Sequence, residues 1–435
     1  MHIGIVPELS GLAGGIYQYS LTMLRALHES EQKTPEDGMT VFAHQTRHSA
    51  VVALNGHGWA VRPLESSALR RIAKDAVRRV VREADLREAW RWFRYRVEGV
   101  ASLPDPDKIQ FRADLARWFR RFGVELMLYP APSTLSFETG VPYVMAVHDL
   151  QHRLQPEFPE VSADGEWEWR EYLFRNGTRY ATLLLADSEV GKEDIIAHYG
   201  SSGVTAERVK VLPFLPAGYL AKEVSAEERL RVRMSYRLPE QHLFYPAQFW
   251  PHKNHARVVQ ALEVVKREHR LKVPIVFCGT PTGKIARRTF HEIMSLSHRL
   301  GVEGQIHYLG YVPDEDMSGL YAGAMALVMP TFFGPTNIPV LEAWAFGCPV
   351  MTSDIRGIRE QAGDAALLAD PRSVEDIAES IYRLWTDHSL RRALADRGRK
   401  RLTAYTPTHY QRRLSEILEE GKARVQSERS LSARH

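Results

Sequence analysis

Pro330-Thr331-Phe332-Phe333-Gly334-Pro335-Thr336-Asn337-Ile338-Pro339-Val340-Leu341-Glu342-Ala343-Trp344-Ala345-Phe346-Gly347-Cys348-Pro349-Val350 reads as a strand end, a turn-rich loop, a short helix and the start of another strand. The apolar run Ala326 to Met329 supplies the first strand, which stops at Pro330. Pro339 is expected at the first helical position, where a missing N–H costs nothing, and Gly347 closes the helix. Unpaired N–H groups around Asn337 to Leu341, together with the helix dipole, predict an anion site. Glu342 falls one turn in, where a carboxylate can accept two hydrogen bonds from a sugar diol. An ordinary α/β crossover with a charged residue near a helix start has the same pattern, and position does not choose between them.

The strand–loop–helix unit repeats in both directions. Upstream, Phe244 to Pro246, Pro274 to Cys278 and Gln305 to Leu309 are short β-rich runs separated by helical patterns, and Val350 to Thr352 follows downstream. The first half opens with a strand at Ile3 to Val6, a Gly-rich loop at Gly11 to Gly15 and a helix at about Ile16 to Leu27. Further strands are expected at Val41 to Ala43, Leu126 to Tyr129, Tyr143 to Val147, Thr182 to Ala186 and Val209 to Leu212. Strands alternating with helices predict mostly parallel, doubly wound sheets. The stretch from Pro213 to Glu240 is the expected domain junction.

A chain of 435 residues, 44% of them hydrophobic, is too long for one ordinary core and suits two α/β domains. A formal charge of +4 implies no nucleic-acid partner. The two cysteines, Cys278 and Cys348, lie in apolar stretches, which argues against a disulfide framework and for a reducing compartment. Met1 to Val6 reads as a buried strand and not as a signal peptide, and no apolar segment is long enough to span a bilayer. A cytoplasmic protein, at most peripheral at the inner face of the membrane, is expected.

One stretch stands apart. From about Leu64 to Phe122 the chain is rich in arginine and tryptophan, most densely from Arg87 to Arg96. An amphipathic helix pair with snorkelling arginines accounts for it. So does a patch for anionic lipid headgroups or a lipid-linked pyrophosphate.

Three more segments hold candidate chemistry. Phe244-Tyr245-Pro246-Ala247-Gln248-Phe249-Trp250-Pro251-His252-Lys253-Asn254-His255 is a strand and turn offering Lys253 as a fixed cation. Tyr143 to Leu150 is a strand ending in His148-Asp149-Leu150, a polar pair at the carboxyl end of a parallel strand. A zinc reading of His148, Asp149 and His152 lacks a third ligand and an H-E-x-x-H helix. Gly11-Leu12-Ala13-Gly14-Gly15-Ile16-Tyr17 does not have dinucleotide spacing, and Gly279 to Ile285 is one residue short of a P-loop.

The stretch from Pro330 to Val350 resembles the E-G-F-G-L-P-x-x-E-A-x-A-x-G-x-P-V signature of family-4 retaining glycosyltransferases. The second signature glutamate falls on Glu342, which the resemblance assigns to the nucleotide ribose hydroxyls. The first falls on Gly334, and Pro335-Thr336-Asn337-Ile338 replaces G-F-G-L, so Thr336 and Asn337 are expected to take over part of the sugar contact through exposed backbone N–H groups, with Ile338 beside them in the donor-binding set. The turn at Gln248 to Asn254 resembles the family's diphosphate turn, with Lys253 matching its lysine and Gln248 standing where relatives carry arginine. His148 matches the histidine beside the reacting sugar, with Asp149 expected to orient it, and Gly14 and Gly15 match glycines whose amides approach the phosphate or sugar. Ala186 to Glu189, Lys210 to Pro213 and Ser353 to Glu360 are weaker matches.

The resemblance implies a GT-B architecture, two Rossmann-like α/β domains facing a central cleft. The expected divisions are an acceptor domain at 1–217 with its basic helical insert at about 64–122, a nucleotide-sugar domain at 218–405, a crossing helix at 406–425 and a disordered tail at 426–435. It further implies a retaining, metal-independent transferase with no cofactor. The substrates would be a nucleotide-sugar donor, with GDP-mannose favoured, and a glycan or lipid-linked acceptor used in surface polysaccharide synthesis. H-D-L and G-P-T-N-I-P are similar to bacterial mannosyltransferases. A GT-B nucleotide-sugar epimerase and a non-catalytic nucleotide-sugar-binding scaffold are the alternatives.

Overall fold

Among the described residues every strand pairs in parallel, and the runs Tyr143–Ala146, Leu183–Ala186, Ile275–Cys278, Ala326–Met329 and Val350–Ser353 are buried throughout. The computed structural model describes residues 1–10, 14–31, 38–44, 46–54, 59–64, 105–218 and 223–432. The chain divides into two units, residues 1–157 with 161–213 and 407–435, and residues 158–160 with 214–406.

The first unit is built on a seven-stranded sheet ordered β3-β2-β1-β4-β5-β6-β7. Its strands are β1 (His2–Ile5), β2 (Met39–Ala43), β3 (Trp59–Pro63), β4 (Val124–Tyr129), β5 (Tyr143–Ala146), β6 (Leu183–Ala186) and β7 (Val209–Val211). Ile5 lies level with Val41 on one side and Leu128 on the other. The helices α1 (Gly15–Glu31), α2 (Ala113–Arg121), α3 (Glu166–Arg179) and α4 (Glu189–Tyr199) alternate with these strands. The helix Pro407–Ser432 returns to this unit and packs on α1, β4 and β5.

Two expectations need correction here. β3 was not anticipated, because Arg62 and Pro63 interrupt its apolar pattern. The tail expected to be disordered from 426 is helical to Ser432, since Val425 is buried and Arg429 pairs with Glu125 of β4. In the part of the basic stretch that is described, α2 buries Leu115, Ala116 and Phe119 and leaves Arg117, Arg120 and Arg121 exposed. Phe119 packs on Phe42 with ring centroids 4.7 Å apart. The cluster Arg87 to Arg96 lies outside the described residues. Among those residues no helix is long and apolar enough to cross a membrane.

The second unit has a six-stranded parallel sheet ordered β10-β9-β8-β11-β12-β13. Its strands are β8 (Leu243–Pro246), β9 (Ile275–Cys278), β10 (Ile306–Tyr308), β11 (Ala326–Met329), β12 (Val350–Ser353) and β13 (Leu367–Ala369). The helices that position the site are α5 (His255–His269), α6 (Asp314–Gly323), α7 (Ile338–Ala345) and α8 (Arg356–Ala362). In both sheets the order reverses beside the first strand of the unit, and the loops leaving the carboxyl ends of the central strands gather there. Cys278 and Cys348 are free and buried, and burial pushes both thiols up to about 12.

Candidate functional site

In the second unit the site grows from the ends of β8 and β11. After β8 the chain makes a single turn at Pro251–Lys253. The Lys253 N–H donates to Trp250 O at 2.9 Å, and the Tyr245 hydroxyl donates to the Lys253 carbonyl, so the lysine backbone is fixed on both sides. Asn254 adopts a left-handed φ of 63°, which asparagine tolerates, and its buried Nδ2 donates to Pro330 O and Pro371 O, both at 2.8 Å. The turn is thereby tied to the loop that leaves β11. Gln248 accepts from Trp250 Nε1 at 2.7 Å, which sets its carboxamide against the indole.

The loop after β11 departs from the sequence reading in three ways. The helix begins at Ile338, so Pro339 is its second residue, still among the first four whose N–H has no helical partner. The Asn337 N–H is not exposed: it donates to Gln361 Oε1 at 2.9 Å, and Gln361 Nε2 donates back to Asn337 O at 2.9 Å. This reciprocal pair holds the residue before the helix in place from α8. Asn337 is 5% exposed, and among the described residues its side-chain Nδ2 meets no acceptor. Third, Gly334 has φ 145°, a conformation L side chains rarely adopt, and a Cβ there would lie 3.0 and 3.1 Å from the Asn337 carboxamide oxygen and nitrogen. The space beside the loop backbone is filled by asparagine. Gly357 of α8 allows the same close approach, since a Cβ on it would meet Pro335 O at 2.5 Å. Thr336 and Ile338 are half-buried on either side of Asn337.

Glu342 sits in α7 at 5% exposure, and the Tyr321 hydroxyl of α6 donates to its Oε2 at 2.5 Å. Tyr321 was missed by the sequence reading, because only packing brings α6 beside α7. The Glu342 carboxylate also adds to the upward shift of the Cys278 thiol, second to burial.

The first unit carries the other candidates. Gly14, at φ 55°, and Gly15 lead into α1, while Gly11 to Ala13 lie outside the described residues. His148 follows β5, and its Nε2 bonds Pro130 O at 2.9 Å. A carbonyl only accepts, so Nε2 carries the proton. Tyr19 packs edge-on against the ring at 4.8 Å, and burial holds the histidine below its usual pKa, so the ring is neutral. Asp149 Oδ1 accepts from the Gln151 N–H at 3.0 Å and from Arg170. Burial opposes its ionisation, but Arg170 and the Gln151 amide keep it below the usual carboxylate range.

His152 faces a buried network. Glu171 accepts from Arg153 Nε at 2.8 Å and from the Tyr199 hydroxyl at 3.1 Å, with His152 Nε2 at 3.4 Å. Burial would raise the Glu171 pKa, yet these donors bring it down to about 2 from an ordinary 4.5. A depressed folded pKa gives stability that is complete above the unfolded value and is lost as pH falls. Glu171→Gln is therefore expected to be less stable than wild type at pH 7, with the gap narrowing below 4.5 and closing near 2. Urea unfolding at neutral and acid pH checks this, and a gap independent of pH would contradict it. Among the described residues no three His, Cys, Asp or Glu side chains are grouped to hold a metal ion.

Residues 229–401 match the family described as glycosyl transferases group 1. Over 244 residues the chain is 31% identical to the O-antigen chain mannosyltransferase B of Escherichia coli, covering 55% of this chain and 61% of that protein. Over 247 residues it is 23% identical to the serotype-specific mannosyltransferase WbdA of Escherichia coli, covering 56% of this chain and 29% of that protein. The matched stretch thus spans less than two thirds of either relative. Among solved structures, the chain resembles the HepE protein of Anabaena in complex with UDP and glucose. The TM-score is 0.66 at 18% identity, covering 96% of this chain and 99% of that one. It also resembles the sucrose-phosphate synthase of Thermosynechococcus elongatus, with a TM-score of 0.69 at 16% identity, covering 97% and 99%. The two parallel sheets and these likenesses give the fold as GT-B.

Proposed function

We propose, from the premise that the second unit belongs to the group 1 glycosyl transferases, that this chain moves a sugar with retention from a nucleotide-diphosphate donor to a glycan or lipid-linked acceptor. The observation that carries the proposal is the buried Glu342 on α7, held by Tyr321, in the loop–helix unit that is hydrogen-bonded to the Lys253 turn. A carboxylate suited to a ribose diol and a lysine suited to a diphosphate are the two ends of a nucleotide. The mannosyltransferase relatives favour GDP-mannose as donor and surface polysaccharide as product.

In the proposed step the bond from the anomeric carbon to the leaving phosphate oxygen breaks on the face where the acceptor oxygen bonds. The acceptor proton passes to that phosphate oxygen. Lys253 offsets the charge gathering on the diphosphate, so no metal is required. His148, neutral at physiological pH, supports developing positive charge on the sugar through its carbonyl or ring.

Incubation with GDP-mannose, UDP-glucose and ADP-glucose tests the proposal. Release of nucleoside diphosphate by transfer or slow hydrolysis is expected from one donor, and it should survive excess EDTA. Activity abolished by EDTA and restored by Mg²⁺ or Mn²⁺ would overturn metal independence. An isomerised sugar would indicate an epimerase, and binding without turnover a scaffold.

A further inference from the structure

His252, the residue before Lys253, is held through its carbonyl, its N–H and its ring Nδ1. Its carbonyl accepts from the Phe332 N–H at 2.8 Å and from Thr331 Oγ1 at 3.1 Å, which joins the turn after β8 to the loop after β11. Its own N–H and its ring Nδ1 both meet one oxygen, Glu160 Oε1, at 3.0 and 2.6 Å. Glu160 lies 92 positions earlier in the chain. The residues on either side of Phe158–Glu160 belong to the first unit, yet this short segment belongs to the second.

The segment is built in. The Phe158 ring packs on His252 and Phe332 with centroids 6.3 and 5.5 Å away, and the Arg257 guanidinium covers Phe332 at 4.9 Å. The Glu160 side chain is 6% exposed, and its second oxygen meets no donor among the described residues. Burying a carboxylate with one oxygen unmatched is costly, and the one oxygen that is matched grips both the backbone and the ring of a single residue.

We propose that Glu160 is a positioning residue for Lys253: by clamping the backbone and ring of His252 it presets the lysine turn for the diphosphate of the donor. The inference rests on the reading of Lys253 given under the proposed function. A preset turn loses less conformational freedom when ligand arrives, and that saving appears as affinity. Glu160 acts through geometry and not through charge, since a negative group close to a diphosphate would by itself weaken binding.

Titration of the full chain with GDP, UDP and ADP separates these effects. The wild type tests the underlying reading, because failure to bind any nucleoside diphosphate would overturn both that reading and this inference. If it binds, Glu160→Ala and Glu160→Asp are each expected to weaken the tightest diphosphate about tenfold, the scale of one lost hydrogen bond. Glu160→Gln keeps an acceptor at the same reach and should stay within about twofold of wild type. The variant Glu160→Ala/Lys253→Ala should bind no more weakly than Lys253→Ala alone, because both changes remove one coupled contact. Glu160→Asp retains charge and most of the volume, so the test stands even where the alanine variant does not fold. Wild-type affinity in Glu160→Asp, loss in Glu160→Gln equal to that in Glu160→Ala, or additive losses in the double variant would each overturn the proposal.

Discussion

Glu342→Gln is expected to bind nucleoside diphosphate and nucleotide sugar about tenfold to a hundredfold more weakly than wild type, the cost of losing charge-assisted hydrogen bonds at a buried site. The size of the side chain is unchanged, and the amide oxygen still accepts from the Tyr321 hydroxyl that now meets Glu342 Oε2 at 2.5 Å. Thermal unfolding should therefore move little while calorimetric affinity falls. That contrast separates ligand contact from a packing role, in which stability would fall with affinity. Unchanged affinity for both ligands would remove Glu342 from the site.

Gly334→Glu, which places a glutamate where the family signature carries one, is expected to impair the protein rather than improve it. The backbone at φ 145° resists any side chain, and a Cβ would press within about 3 Å of the Asn337 carboxamide. Strain of this kind costs about 1–3 kcal/mol, and displacing Asn337 would loosen the start of α7. A lower melting temperature and a loss of turnover greater than the loss of nucleotide affinity are expected. Gly334→Ala should reproduce most of the effect, because the strain begins at Cβ. A Gly334→Glu enzyme faster than wild type would show that this loop merely lacks a carboxylate.

Much of the fold was legible because parallel strands buried on both faces are short apolar runs that little else in the sequence imitates. β13 (Leu367–Ala369) was not read as a strand, because its run Ala365 to Ala369 holds only alanine and leucine and no β-branched residue. Glu342, Lys253 and His148 could be chosen from local pattern and resemblance, since each lies where a strand hands over to a loop or helix. The groups that hold them could not. Tyr321 reaches Glu342 across 21 positions, Gln361 reaches Asn337 across 24, and Glu160 reaches His252 across 92. No periodicity records such pairings, and the sequence reading left the Asn337 N–H open for a ligand when Gln361 already occupies it.

The return of the helix Pro407–Ser432 to the first unit has a consequence for the order of events during synthesis. By the time Thr406 has been made, every residue of the second unit exists, including Phe158–Glu160. The first unit still lacks the helix that covers α1, β4 and β5, with Tyr410, Leu414, Ile417 and Leu418 buried among its residues. Translation at about 5–20 residues per second makes that interval brief but finite. During it the earlier-made sheet waits with an apolar face uncovered, while the later-made unit is free to finish first.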